Sequence, residues 1–174
     1  MSIGFLISVD TPAIWRGPMV MKALEQMFNG VEWGELNYLI IDLPPGTGDA
    51  QLSLAQSSKL SGSIIISTPQ DVALADARKG INMFKKVNVP ILGLVENMSY
   101  FICDSCGARH EIFSSGTVKE EATKFKTPFL GELPIDKKLR INSDTGHPIC
   151  ITEPESETSK MYLSIAKKIH QNSN

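Results

Sequence analysis

The apolar positions of this chain fall in short continuous runs separated by longer amphipathic stretches. "YLIID" at 38–42, "SIIIS" at 63–67 and "ILGLVEN" at 91–97 read as strands, with "FLGELP" at 129–134 a weaker fourth. Runs that are continuous rather than alternating are what strands covered on both faces require. Residues 18–28 read as a helix, with Gly17 before it, Pro18 in its first turn and Asn29-Gly30 as its stop. The stretch 71–87 spaces Val72, Ala75, Ile81, Phe84 and Val87 near the helical period, and 157–170 reads as a C-terminal amphipathic helix behind the polar connector 152–159. Strand alternating with helix predicts an α/β fold, a parallel sheet with crossover helices.

Composition narrows the function classes. The 174 residues suit a single domain, 1–174, with a core of its own. A net charge of −2 gives no basic surface for a nucleic-acid backbone, so no nucleic acid partner is expected. No apolar run approaches the ~20 residues that span a bilayer, and no membrane association is expected. The N-terminal "MSIGFLISVD" lacks a basic leader and a small-residue cleavage site, which argues against a secretory signal. Three cysteines are too few for a disulfide framework, so a reducing, cytoplasmic setting with thiols free for metal is expected.

Candidate chemistry gathers at strand ends, where ligands of parallel sheets collect. In "DLPPGTGD", Asp42 closes an apolar run, as a carboxylate holding a Mg²⁺-bound water does in phosphate-transferring proteins. Gly46 and Gly48 would let the backbone approach a phosphate. The same loop reads equally well as a rigid turn with Asp49 capping the next helix. Asn97 ends a second run, and a carboxamide can donate to and accept from an adenine edge at once. Two such ends in order favour a nucleotide site, yet no G-x-x-x-x-G-K-[ST] occurs in the chain.

The stretches "SIGFL", "IWRGPMVMKALEQ", "WGELNYLIIDLPPGTGDAQLSLAQ", "STPQDVALADARKG", "GLVENMSYFICDSCG" and "LGELPID" run in order along nearly the whole chain. In them the chain resembles the C-terminal half to two-thirds of the Mrp/ApbC/Nbp/Ind family, P-loop ATPases that carry iron–sulfur clusters. The resemblance implies a partial P-loop NTPase sheet of the SIMIBI, MinD-like kind, lacking the P-loop strand, in a truncated piece of a longer ATPase domain. It implies that Asp42 is the Walker-B aspartate, Gly46 the switch glycine and Asn97 the base-contacting asparagine, with Pro134 and Asp136 in the loop on the adenine's other side. Trp15, Arg16, Gly17 and Pro18 are a family marker; Arg16 has no assigned role. ATP and Mg²⁺ belong to the full-length family, and this chain alone, without the P-loop lysine and hydroxyl, is expected not to hydrolyse ATP. With the central P-loop strand missing, the isolated chain is expected to cover its strand edges by dimerising, exchanging elements or reordering strands. An organellar matrix replaces the cytoplasm if a preceding segment carries a transit peptide.

"YFICDSCGARH" supplies Cys103 and Cys106 in a C-x₂-C spacing, which turns both sulfurs toward one metal. Two ligands are half of a closed site, so two pairs in a homodimer would hold one [4Fe–4S] cluster, as the family is thought to do. By residues alone zinc leads, with His110 and a fourth ligand such as Cys150 completing a local site; a redox pair is a further reading. With the resemblance, the iron–sulfur cluster leads and zinc is its substitute. The implied function is a cluster carrier, gated by ATP in the full-length family, that delivers to apo iron–sulfur acceptor proteins. The alternative is a non-catalytic, zinc-stabilised dimerisation or docking module. Cys150 reads as a small buried apolar residue and His110 as a solvated loop histidine. Asp104 stands where the family has proline, adding negative charge beside the thiolates, and "IFSSGT" at 112–117 replaces a more glycine-rich run.

Overall fold

In the computed structural model the described residues are 1–5, 17–43, 46, 48–57 and 59–173, and they form two compact units, Met1–Lys59 and Leu60–Asn174. Trp15, Arg16, the side chains of Pro18 and Asp49, and Pro44, Pro45 and Thr47 of "DLPPGTGD" lie outside them.

In the first unit a short 3₁₀ turn, Ile3–Phe5, precedes helix α1 (Gly17–Asn29), which packs on α2 (Asp49–Ser57). The Trp33 indole N–H donates to the Phe28 carbonyl at 3.0 Å and ties the chain back to the end of α1. The expected strand at 38–42 does not form: the backbone there carries no ladder, and Ile40 is 88% exposed. A strand exists through its ladder, and the described backbone of 38–42 is assigned to no strand.

The second unit holds the sheet. Strands β1 (Ser63–Ser67) and β2 (Ile91–Glu96) pair in parallel, Ile65 against Leu94 and Ser67 against Glu96. Between them runs α3 (Asp71–Lys86), with Asp71 in its first turn and Lys85 and Lys86 in its last, the arrangement its dipole favours. After β2 come a hairpin of β3 (Phe101–Ile102) and β4 (Arg109–His110), then α4 (Thr117–Phe125) and β5 (Phe129–Glu132). β5 pairs in parallel with the other side of β2, so the sheet order is β1, β2, β5. Three helices follow: α5 (Lys137–Asp144), α6 (Ile149–Thr152) and α7 (Glu157–Asn172).

β2 is the centre of the unit. Its residues from Leu92 to Glu96 are all buried, as a strand paired on both edges and covered on both faces must be. Val95 joins Leu130, Leu133 and Ile165 in a cluster that Met161, Tyr162 and Ile169 of α7 close. β1 departs from the expectation of two covered faces. Its burial alternates, α3 packs on one side, and Ile64 and Ile66 of the other are exposed.

Candidate functional site

β2 delivers the chain to two features side by side, a strand-end loop and a cysteine knuckle. Leu133 N–H donates to the Glu96 carbonyl at 2.8 Å, and Ser99 N–H donates to the Leu133 carbonyl at 3.0 Å. These bonds bring Asn97 and Pro134, expected on two sides of a base, to adjacent strand ends. Asn97 is fixed by its own N–H to Ser67 O at 2.8 Å, and its Oδ1 accepts from Met98 N–H at 3.0 Å. That turn holds Met98 at φ 55, a left-handed conformation unusual for its side chain. Among the described residues the Asn97 amide nitrogen makes no hydrogen bond.

Asp136 is committed differently. One of its oxygens accepts from the N–H groups of Lys138 (2.7 Å) and Leu139 (3.3 Å), capping α5, and the other accepts from the Thr158 hydroxyl of α7. Burial opposes its ionisation, but the bonds from Thr158, Lys138 and Leu139 outweigh it and hold the carboxyl below its ordinary range. A base beside Pro134 would therefore meet backbone rather than this carboxylate.

The knuckle is built by the hairpin. Phe101 pairs with His110 and Ile102 with Arg109. Cys103 N–H donates to Ala108 O at 2.9 Å, and Gly107 N–H returns to Cys103 O at 2.8 Å. Gly107 makes this closure at φ 70, where a side chain would be strained. Cys103 is half-buried and Cys106 exposed. The backbone N–H groups of Ser105 and Cys106 donate to the Cys103 sulfur and pull its pKa down against the opposing effect of burial. A thiol whose pKa is lowered gives up its proton to a metal more readily. The Lys138 ammonium pKa is raised chiefly by Glu153, with smaller contributions from Asp136 and, last, Asp104.

The local zinc set does not assemble. Among the described residues no three His, Cys, Asp or Glu side chains gather to hold a metal. His110 is exposed with its ring tilted against Phe101, 6.5 Å between centroids, and Cys150 is half-buried in α6 rather than fully buried. The His110 ring lies against Phe101, its partner across the hairpin.

Sequence reasoning missed the polar network beneath these features. Glu96 is fully buried; its Oε1 accepts from Ser99 Oγ (2.6 Å) and Gly116 N–H (2.9 Å), its Oε2 from Val118 N–H (2.9 Å). It thereby satisfies donors at the start of α4. Ser99 Oγ also lies 3.1 Å from Glu132 Oε2, whose Oε1 is 3.4 Å from Arg109. The available signal was Glu96 itself, a carboxylate ending a run as apolar as "ILGLV".

Asp42 and Gly46 belong to the first unit and are both exposed. Gly46 has φ 100 with open space where a Cβ would stand, the backbone freedom a phosphate-approaching loop uses. Asn97, Pro134, Asp136, Cys103 and Cys106 belong to the second. No helix among the described residues is long and apolar enough to cross a membrane.

Comparison with known proteins supplies the family. The model of the NUBPL iron-transfer P-loop NTPase matches residues 1–170. An iron–sulfur cluster transfer protein NUBPL of Dictyostelium discoideum is 54% identical over 97% of this chain and 52% of its own length. An iron–sulfur cluster carrier protein of Aquifex aeolicus is 51% identical over 98% of this chain and 47% of its own. The chain thus spans about half the length of the curated relatives it matches. A nucleotide-binding protein of Archaeoglobus fulgidus, solved in complex with ADP, superposes with a TM-score of 0.71 at 40% identity, covering 90% of this chain and 59% of that one. The chain belongs to the NUBPL iron-transfer P-loop NTPase family.

Proposed function

We propose that this chain is the cluster-binding part of an iron–sulfur carrier, with Cys103 and Cys106 supplying half of the ligands of a [4Fe–4S] cluster. The observation that carries the reading is the knuckle: two thiols presented at a hairpin tip that Gly107 closes onto Cys103, with no third ligand gathered among the described residues. Four ligands then come from two copies, a homodimer with the cluster, its cargo, on the two-fold axis. The strand-end loop with Asn97 and Pro134 receives the base of ATP, Asp42 acts through Mg²⁺ and Gly46 meets the terminal phosphate. Nucleotide turnover in the full-length family's ATPase gates delivery to apo iron–sulfur acceptor proteins. The chain by itself hydrolyses no ATP, for want of the P-loop lysine and hydroxyl. It works in the cytoplasm or an organellar matrix.

Anaerobic reconstitution with iron and sulfide tests this. The expected product is coloured protein with about four irons per dimer, lost in the Cys103→Ala/Cys106→Ala variant. Colourless protein keeping about one zinc per knuckle would overturn the carrier reading and make the hairpin a structural clip.

A further inference from the structure

A hairpin with two residues in each strand cannot hold its own orientation. The outgoing strand is anchored at its base, where Ile135 N–H donates to Tyr100 O at 2.7 Å and Phe101 bridges Ile135. Among the described residues the return strand reaches the sheet through the Arg109 side chain. The Arg109 guanidinium lies 3.7 Å from the centroid of the buried Tyr100 ring, 3.4 Å from Glu132 Oε1 at the end of β5, and 3.7 Å from Glu111. We propose that Arg109 is a positioning residue for the cysteine knuckle: stacked on Tyr100 and paired with Glu132, it fixes the thiol pair against the joined ends of β2 and β5.

The choice of residue fits the task. A planar guanidinium stacks on a ring and donates in its own plane to two carboxylates at once; a lysine ammonium does one or the other. Glu132 passes the tie inward, because its second oxygen shares the Ser99 hydroxyl with Glu96, one residue before Asn97. The knuckle and the loop offered to a base are therefore pinned to the same strand ends. An ordinary rim ion pair, with side chains 41% and 37% exposed, would contribute little and would leave the knuckle unchanged when removed.

The proposal rests on the reading of Cys103 and Cys106 as cluster ligands, and the test separates the two. Arg109→Met, Arg109→Lys and Glu132→Gln are made in the full chain, and three quantities are followed: melting temperature, hydrogen exchange at the Cys103 and Gly107 amides, and the rate at which bathophenanthroline extracts iron from reconstituted protein. Arg109→Met is expected to melt within about 2 °C of the parent. It should exchange the two knuckle amides about tenfold faster and surrender iron about tenfold faster. Arg109→Lys should recover part of both losses, and Glu132→Gln should follow Arg109→Met. Unchanged exchange and extraction in Arg109→Met, or the same in Glu132→Gln should Arg109→Met fail to fold, would overturn the placement. If the parent takes up no iron, the cluster reading fails, and exchange alone still decides whether Arg109 sets the knuckle.

Discussion

The runs "YLIID" at 38–42 and "ILGLVE" at 91–96 have the same written character, an apolar stretch closed by an acid, and different fates. The second is β2, paired on both edges, with its acid, Glu96, fully buried and satisfied by three donors. The first carries no ladder, exposes Ile40, and leaves Asp42 exposed. β1 stands between them, paired on one edge and covered on one face. The comparison teaches that hydrophobicity makes a run eligible for a sheet, while neighbours make it a strand. The backbone donors and acceptors need partners, and the side chains need a covering layer.

Three substitutions sharpen or break that contrast. Leu94 of β2 is 1% exposed, and Leu94→Ala should cost about 3 kcal/mol in urea unfolding. A loss under about 1 kcal/mol would mean that β2 is not the packed centre.

A smaller effect is expected where α3 and α4, which cover the sheet, are joined. Arg78 donates to both oxygens of Glu121 at 2.9 Å, and Lys124 adds a third bond at 2.8 Å. Those hydrogen bonds, Arg78's first, hold the Glu121 carboxyl at about 2 against the opposing effect of burial. Because the folded value is depressed, its stabilisation is complete above the unfolded carboxyl value of about 4.3 and is lost as pH falls through about 2. Glu121→Gln should cost on the order of 2 kcal/mol at neutral pH, discounted for the exposed guanidinium. The difference from the parent should shrink across that acid window. A difference that stays constant from pH about 5 to about 2 would remove Glu121 from the acid response.

The smallest effect is the most diagnostic. Ile40→Ser, at an exposed position, should change stability by no more than about 0.5 kcal/mol. A loss matching that of Leu94→Ala would show that the run is buried in solution, and the comparison would fail.

Much of this was legible in the sequence. The extents of β1, α3, β2 and α7 follow from apolar runs and helical spacing, since these elements bury one defined set of side chains. The hairpin around the cysteines is not legible in the sequence, because two-residue strands have no periodicity to detect. The helices α4 and α5 were not anticipated. Their starts are set by Glu96 reaching across to Gly116 and Val118, and by Asp136 capping within a loop otherwise read for its ligand.

The sequence by itself determined the chemistry on offer: the C-x₂-C spacing, the carboxamide ending β2, the missing phosphate loop and the family. Local residue type and spacing are sufficient for these. Only the tertiary structure decided which apolar runs became strands, that Asn97 and Pro134 stand side by side, that Asp136 is occupied as a cap, and that His110 lies against Phe101. It also joined Arg109 to Tyr100 and Glu132, residues 9 and 23 positions away. Contacts of that kind depend on how chain segments far apart in sequence come to pair, and no local pattern encodes the pairing.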